Sequence, residues 1–277
     1  MDTRPLGELI STNPASGRVV GRFRVTTSDD LPEVVARARE AAGWWAGIGF
    51  DGRRERLRRW RRDLARRLDE VAELVHLEGG KPRAEAIVET AAAIDHIEWA
   101  RGNARRVLGP RRVRSRLLLI EHSAHLEYQP LGVVGVIGPW NYPVLTPIGS
   151  LAYALAAGNT VVFKPSEYTP AVGQWLADSF RRAVPEQPVL QVVQGAGEVG
   201  AALCRAGVDK IAFTGSTAAA RRVMAACAET LTPVLLEAGG KDAMLVGPDA
   251  DVAAAVEACC WGAMTNAGQT CLGIERA

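Results

Sequence analysis

Between Arg54 and Glu78 apolar residues return at three- and four-residue steps, at Leu57, Trp60, Leu64, Leu68, Val71 and Leu74. That spacing lays a single stripe along a helix. The pattern predicts one helix over this span, closed by Gly79-Gly80 because glycine readily takes the left-handed conformation of a helix end. A second helix is predicted from about 82 to 99, so the first 130 residues read mainly as helix. The period changes over 115–128, where Leu118, Ile120, His122, Ala124, Leu126 and Tyr128 alternate with Glu121, Ser123, His125 and Glu127. A two-residue repeat predicts strand. His122 and His125 have opposite parity in it, which argues against a shared metal site, and both read as ordinary strand residues.

Beyond residue 131 short apolar runs alternate with helical stretches. The runs are 132–138, 160–164, 189–193, 210–213 and 234–237; the helices between and after them are about 147–157, 171–184, 199–206 and 217–228. Apolar strands joined by helices imply a parallel sheet covered on both faces. Right-handed crossovers make it an open, doubly wound α/β fold with ligands beyond the carboxyl ends of the strands. There is no internal repeat and no low-complexity linker.

The length of 277 residues fits one large domain or two modest ones. An apolar fraction of 48% with 23% charged residues suits a packed chain, and a net charge of +2 gives no reason to expect nucleic acid as the main partner. The arginines at 58, 59, 61, 62, 66 and 67 are interleaved with Glu55, Asp63, Asp69 and Glu70, which favours a solvated helix face over a nucleic-acid surface. Arginine outnumbers lysine 29 to 4, a bias that carries no functional weight. No apolar run approaches the ~18 residues that cross a bilayer, and the first residues lack the hydrophobic stretch of a secretion signal. Five cysteines are too few for a disulfide framework and leave at least one thiol free. These features predict a cytoplasmic setting with no membrane partner.

Four polar or glycine-containing groups fall at predicted strand ends: Pro139–Pro143, Lys164–Glu167, Phe213–Thr217 and Leu236–Lys241. One such turn is weak evidence, since these residues also serve turn geometry; four on one edge of a sheet carry more. The string Gly195-Ala196-Gly197-Glu198-Val199-Gly200 matches a dinucleotide fingerprint after a strand, yet the acidic partner expected about twenty residues on is missing. Phosphates would instead approach Gly215 and Ser216 at a helix start, where free N–H groups and the helix dipole favour anions. Cys204, Cys227, Cys259 and Cys260 lie in Ala- and Val-rich helical stretches and read as core. Cys271 lies in the polar loop Asn266–Cys271; a nucleophilic thiol and a chance loop cysteine both fit it.

Taken together the strings PWNYP (139–143), KPSE (164–167), FTGST (213–217), LEAGGK (236–241) and NAGQTC (266–271) resemble the aldehyde dehydrogenase superfamily. A GKPRAEA stretch at 80–86 belongs to the same resemblance, which extends from about residue 10 to 276; Ala238 stands where the family usually has leucine. The resemblance implies a Rossmann-like cofactor domain with an incomplete catalytic domain. Its parts would be an N-terminal helical part (1–110), oligomerisation strands (111–130), an NAD-binding core (131–240) and the opening of the catalytic domain (241–277). It implies oxidation of an aldehyde to a carboxylic acid, with Cys271 as nucleophile and Asn141 as donor to the developing alkoxide. Glu237 would be the base that activates water, its pKa raised by burial beside glycines. NAD is implied as cofactor, with NADP possible, and no metal. Its site would comprise Ile137, Gly138, Pro139, Trp140, Asn141, Lys164, Ser166, Glu167, Gly197, Phe213, Thr214, Gly215 and Ser216. The carboxylate of Glu167 would repel a 2′-phosphate and so favour NAD.

Relatives continue well past residue 277 and form homo-oligomers, so the resemblance also implies a chain ended early. The alternative expectation is therefore an inactive fragment that retains only partial dinucleotide-binding or oligomerisation surface. A CoA-acylating enzyme is disfavoured, because it would not need the carboxylate of Glu237.

Overall fold

The structure, a computed structural model, describes residues 7–277; the first six, part of the stretch read above as carrying no secretion signal, lie outside it. The chain opens with an antiparallel pair, β1 (Glu8–Thr12) and β2 (Val19–Arg24), which the helical reading of the first 130 residues missed. Four helices follow: α1 (Leu31–Gly47), α2 (Gly49–Arg66), α3 (Leu68–Gly79) and α4 (Arg83–Leu108). The single helix expected over 54–78 is thus two. Arg67 takes φ −116° and ψ 25° between them, while its guanidinium pairs with Glu70 and lies 5.2 Å from the Trp175 ring. The apolar stripe runs on through the break because both helices bury it in one layer. Gly80 ends α3 at φ 70°, as the sequence predicted.

The alternating segment 115–128 is not a continuous strand. Only β3 (Arg111–Val113) and β4 (Ala124–Leu126) pair, antiparallel, with a 3-10 turn at Leu117–Leu119 between them. Alternation yields a strand only where a neighbour completes the hydrogen-bond ladder. His125 lies in β4, and His122 lies outside any strand.

The remainder alternates as predicted: β5 (Val133–Ile137), α5 (Leu145–Ala156), β6 (Thr160–Lys164), α6 (Pro170–Ala183), β7 (Leu190–Val192), α7 (Gly197–Arg205), β8 (Lys210–Gly215), α8 (Thr217–Ala228) and β9 (Val234–Ala238). These strands form one parallel sheet in the order β7-β6-β5-β8-β9. Side chains alternate across it. Val134, Val136 and Phe163 join a core with α2 to α6, while Val133, Ile137 and Val162 join a second core with α1, α7 and α8. The order reverses at β5, so β6 and β8 leave it on opposite sides and a crevice opens at their carboxyl ends. The chain closes with β10 (Asp242–Ala243), α9 (Val252–Met264) and β11 (Ile274–Arg276), which pairs parallel with β10. No described helix is long and apolar enough to cross a membrane.

The cysteines divide differently from the sequence reading. Cys204 and Cys227 are buried between α7 and α8, but Cys259 is half-buried and Cys260 exposed, because α9 has no fully buried residue. Burial pushes the Cys204 thiol up to about 12. Reagents attack the thiolate, so at pH 8 iodoacetamide should label Cys260 and Cys271 in the native protein and reach Cys204 and Cys227 only after denaturation, as read by peptide mass spectrometry.

Trp60 is fully buried with its ring edge-on to Phe180 at 5.2 Å. Trp60→Ala should lower the unfolding free energy by roughly 3–5 kcal/mol in urea titrations.

Candidate active site

Each strand of the sheet delivers a loop to the same edge, and the helices that follow β5, β6, β7 and β8 begin with N–H groups lacking partners inside the helix. At two of these helix starts a glutamate from elsewhere supplies the acceptors. Glu89 of α4 accepts from Val144 N (2.8 Å) and Leu145 N (3.0 Å), holding the Pro139–Pro143 loop where it enters α5. Glu78 of α3 accepts from Ala171 N (2.9 Å) and Val172 N (2.8 Å), and from the Ser11 hydroxyl, holding the Lys164–Glu167 loop where it enters α6. Burial raises the Glu78 pKa against these hydrogen bonds. Glu89 is wholly buried and paired with Lys81, itself 1% exposed. Burial depresses the Lys81 pKa, against the pull of Glu89. The Lys81 ammonium also sits 4.1 Å from the centre of the Tyr142 ring, a contact that strengthens when desolvated.

The loop carrying Cys271 is tied to both neighbouring loops. Asn141 Nδ2 donates to the Gln269 carbonyl (2.7 Å), and Asn266 Nδ2 returns a bond to the Asn141 carbonyl (2.9 Å). The Thr270 hydroxyl donates to the Thr265 carbonyl, which leaves its oxygen to accept from Tyr142 OH at 2.9 Å. On the other side Gly240 N bonds the Cys271 carbonyl (3.3 Å), and Asp242 of β10 is in register with Ile274 of β11. Glu237, in β9, ends just before that link. The loops of Asn141, Cys271 and Glu237 are therefore joined by backbone-level contacts, although the residues lie up to 130 positions apart in sequence.

All three open onto one cleft of about 1130 Å³ at the carboxyl ends of β5, β6, β8 and β9, and every other residue named as a cofactor contact also lines it. Lys164, only 3% exposed, donates to the Pro165 carbonyl at 2.7 Å and lies 3.8 Å from Glu167. Burial lowers its pKa, with Glu167 opposing. Gly215 and Ser216 stand at the start of α8, where the Ser216 hydroxyl accepts from Ala219 N. The 217 and 218 amides keep no acceptor inside the helix. The Gly195–Gly200 string forms the turn into α7: Gly195 has φ 149°, and a side chain there would strike Val199, while Gly197 and Gly200 face the cleft.

Glu237 is exposed, not buried beside glycines, because β9 is the edge strand of the sheet. Cys271 is exposed too. Sequence reasoning missed the Lys81–Glu89 pair, Tyr142 and Thr270 as parts of this site, and missed Arg205 and Arg222, which line the cleft from α7 and α8. Lys81, Tyr142 and Thr270 lie inside the strings GKPRAEA, PWNYP and NAGQTC, but nothing local signals Glu89, Arg205 or Arg222 as neighbours of the cleft.

Comparison with known proteins agrees with the architecture. The model of the "Aldehyde dehydrogenase family" matches residues 3–277. The chain is 37% identical over 270 residues to 4,4'-diapolycopene aldehyde oxidase of Methylomonas sp, covering 97% of this chain and 51% of that protein. It is 38% identical over 269 residues to the mitochondrial succinate-semialdehyde dehydrogenase of Arabidopsis thaliana, covering 95% and 50%. The crystal structure of lactaldehyde dehydrogenase from Escherichia coli superposes with a TM-score of 0.93 at 32% identity, over 99% of this chain and 57% of that one. The NAD+ complex of aldehyde dehydrogenase from Bacillus cereus superposes with a TM-score of 0.90 at 30% identity, over 96% and 54%. The chain spans about half the length of the curated relatives it matches. With the family match running nearly end to end, the chain belongs to the aldehyde dehydrogenase family.

Proposed function

We propose that the cleft serves the oxidation of an aldehyde to a carboxylic acid with a nicotinamide dinucleotide. The observation that carries this is that an amide, a carboxylate and a thiol, from two loops and the end of β9, line the same cleft. The residues present fit a dinucleotide. About 1130 Å³ exceeds the ~300–1000 Å³ of most small-molecule sites, and a helix start opens into it beside a buried lysine. Gly215-Ser216 would lie beneath the pyrophosphate, and Lys164 with Glu167 would hold the adenosine ribose. Bound NAD supplies the hydride acceptor.

The Cys271 thiolate attacks the aldehyde carbon, forming a C–S bond as the carbonyl oxygen becomes an alkoxide. Asn141 Nδ2 carries two hydrogens, one on the Gln269 carbonyl and one to donate to that alkoxide. Loss of hydride from the carbon leaves a thioester on Cys271. Glu237 takes a proton from water as its oxygen attacks the thioester carbon, and the acid departs as the C–S bond breaks and the thiolate returns. We assign 131–240 to the cofactor core and 241–277 to the opening of the catalytic part. Exposed Leu117, Leu118 and Ile120 between β3 and β4 support an oligomerisation role for 111–130 in a homo-oligomer.

A second reading is dinucleotide binding without turnover. The exposure of Cys271 and Glu237 favours it, because such chemistry depends on groups held away from water.

Mixing the chain with NAD and a panel of aldehydes separates the two. Oxidation predicts a rise in NADH absorbance, abolished by Cys271→Ser and lowered about 100- to 1000-fold by Asn141→Ala; a flat trace with folded, NAD-binding protein supports the second reading. In calorimetric titrations NAD should bind more tightly than NADP, and Glu167→Gln should narrow the gap; a preference for NADP contradicts the role given to Glu167.

A further inference from the structure

Glu85, in the segment GKPRAEA at 80–86, holds no place in the roles assigned above, yet it reaches the cysteine loop. Glu85, half-buried in the first turn of α4, accepts a hydrogen bond from the backbone N–H of Asn266. Asn266 and Ala267 both have left-handed backbones, at φ 59° and 54°. That conformation is disfavoured for residues bearing a side chain, and two in succession must be held by their surroundings.

The holding contacts come from three directions. Asn266 Nδ2 bonds the carbonyls of Asn141 (2.9 Å) and Gln269 (3.2 Å), and Gln269 Nε2 reaches back to the Asn266 carbonyl (3.1 Å). Glu85 contributes a charged acceptor to the Asn266 backbone N–H, and hydrogen bonds to charged acceptors are the stronger kind. It lies four residues before Glu89 on α4, so one face of that helix sends neighbouring carboxylates to two loops. Glu89 fixes the loop of Asn141, and Glu85 fixes the loop of Cys271.

We infer that Glu85 is a positioning residue for the Cys271 thiol, holding the left-handed turn at Asn266 and Ala267 so that the loop stays docked on Asn141. The inference rests on the proposed role of Cys271 as nucleophile, but its test does not. Hydrogen exchange read by mass spectrometry on the whole chain follows the 265–271 segment directly. In Glu85→Ala that segment should exchange about tenfold faster. Peptides from β5 and β8 should be unchanged, and the Kd for NAD should stay within about twofold of the parent. Glu85→Gln keeps an acceptor oxygen and should restore slow exchange. Where the chain turns over aldehyde, Glu85→Ala should lower kcat by a similar factor. No acceleration in Glu85→Ala, or equal acceleration throughout the chain, would overturn the inference, as would loosening by Glu85→Gln equal to that by Glu85→Ala. A chain without turnover counts against the proposed oxidation alone, while exchange still decides the role of Glu85.

Discussion

Backbone N–H groups buried at the beginnings of helices need acceptors, and this molecule supplies them from a distance. Within a dozen residues at the corner of α3 and α4, Glu78, Glu85 and Glu89 each take backbone donors from a different loop. An unpaired buried donor costs ~1–3 kcal/mol, so each loop is set in place by the requirement that its donors be met. The corner is itself costly, since Glu89 and Lys81 are charges out of water. Their mutual pairing, with the Tyr142 ring over the ammonium, offsets that cost and ties the corner to the Asn141 loop.

Because two of the pinned loops follow parallel strands and the third carries Cys271, the constraint also brings these loops to one edge. The sheet alone would bring loop ends to one edge. It would not fix which backbone atoms of those loops face one another. The bonds from Asn141 to Gln269 and from Gly240 to Cys271 supply that registration, and the cleft lies along it. Glu237 and Cys271 stay exposed at the outer margin of the arrangement, on the edge strand and on a turn, whereas Lys164 is enclosed at the centre.

Much of this was readable from residue order. The inner parallel strands announce themselves as continuous apolar runs because both faces of the sheet are covered there, and α8 occupies the predicted 217–228 because a capping serine starts it. Every residue named as a site contact lines the cleft, since short polar turns after such strands have few other places to go. The failures share a cause: local pattern does not disclose partners. Alternation over 115–128 lacked a neighbouring ladder, and the stripe over 54–78 hid the break at Arg67. The Ala- and Val-rich stretch around Cys260 became a helix with no fully buried residue. The glutamates of the corner were invisible for the same reason, their acceptor role depending on donors 55 to 181 residues away.

Whether the pinned loops form a dinucleotide site is decided by a crystal structure of the chain soaked with NAD. The pyrophosphate should lie against Gly215 and Ser216 at the start of α8, the adenosine ribose beside Lys164 and Glu167, and the nicotinamide toward Cys271, with the Asn141–Gln269 bond intact. A dinucleotide seated elsewhere, or one that binds only after the Cys271 loop has left Asn141, would contradict this.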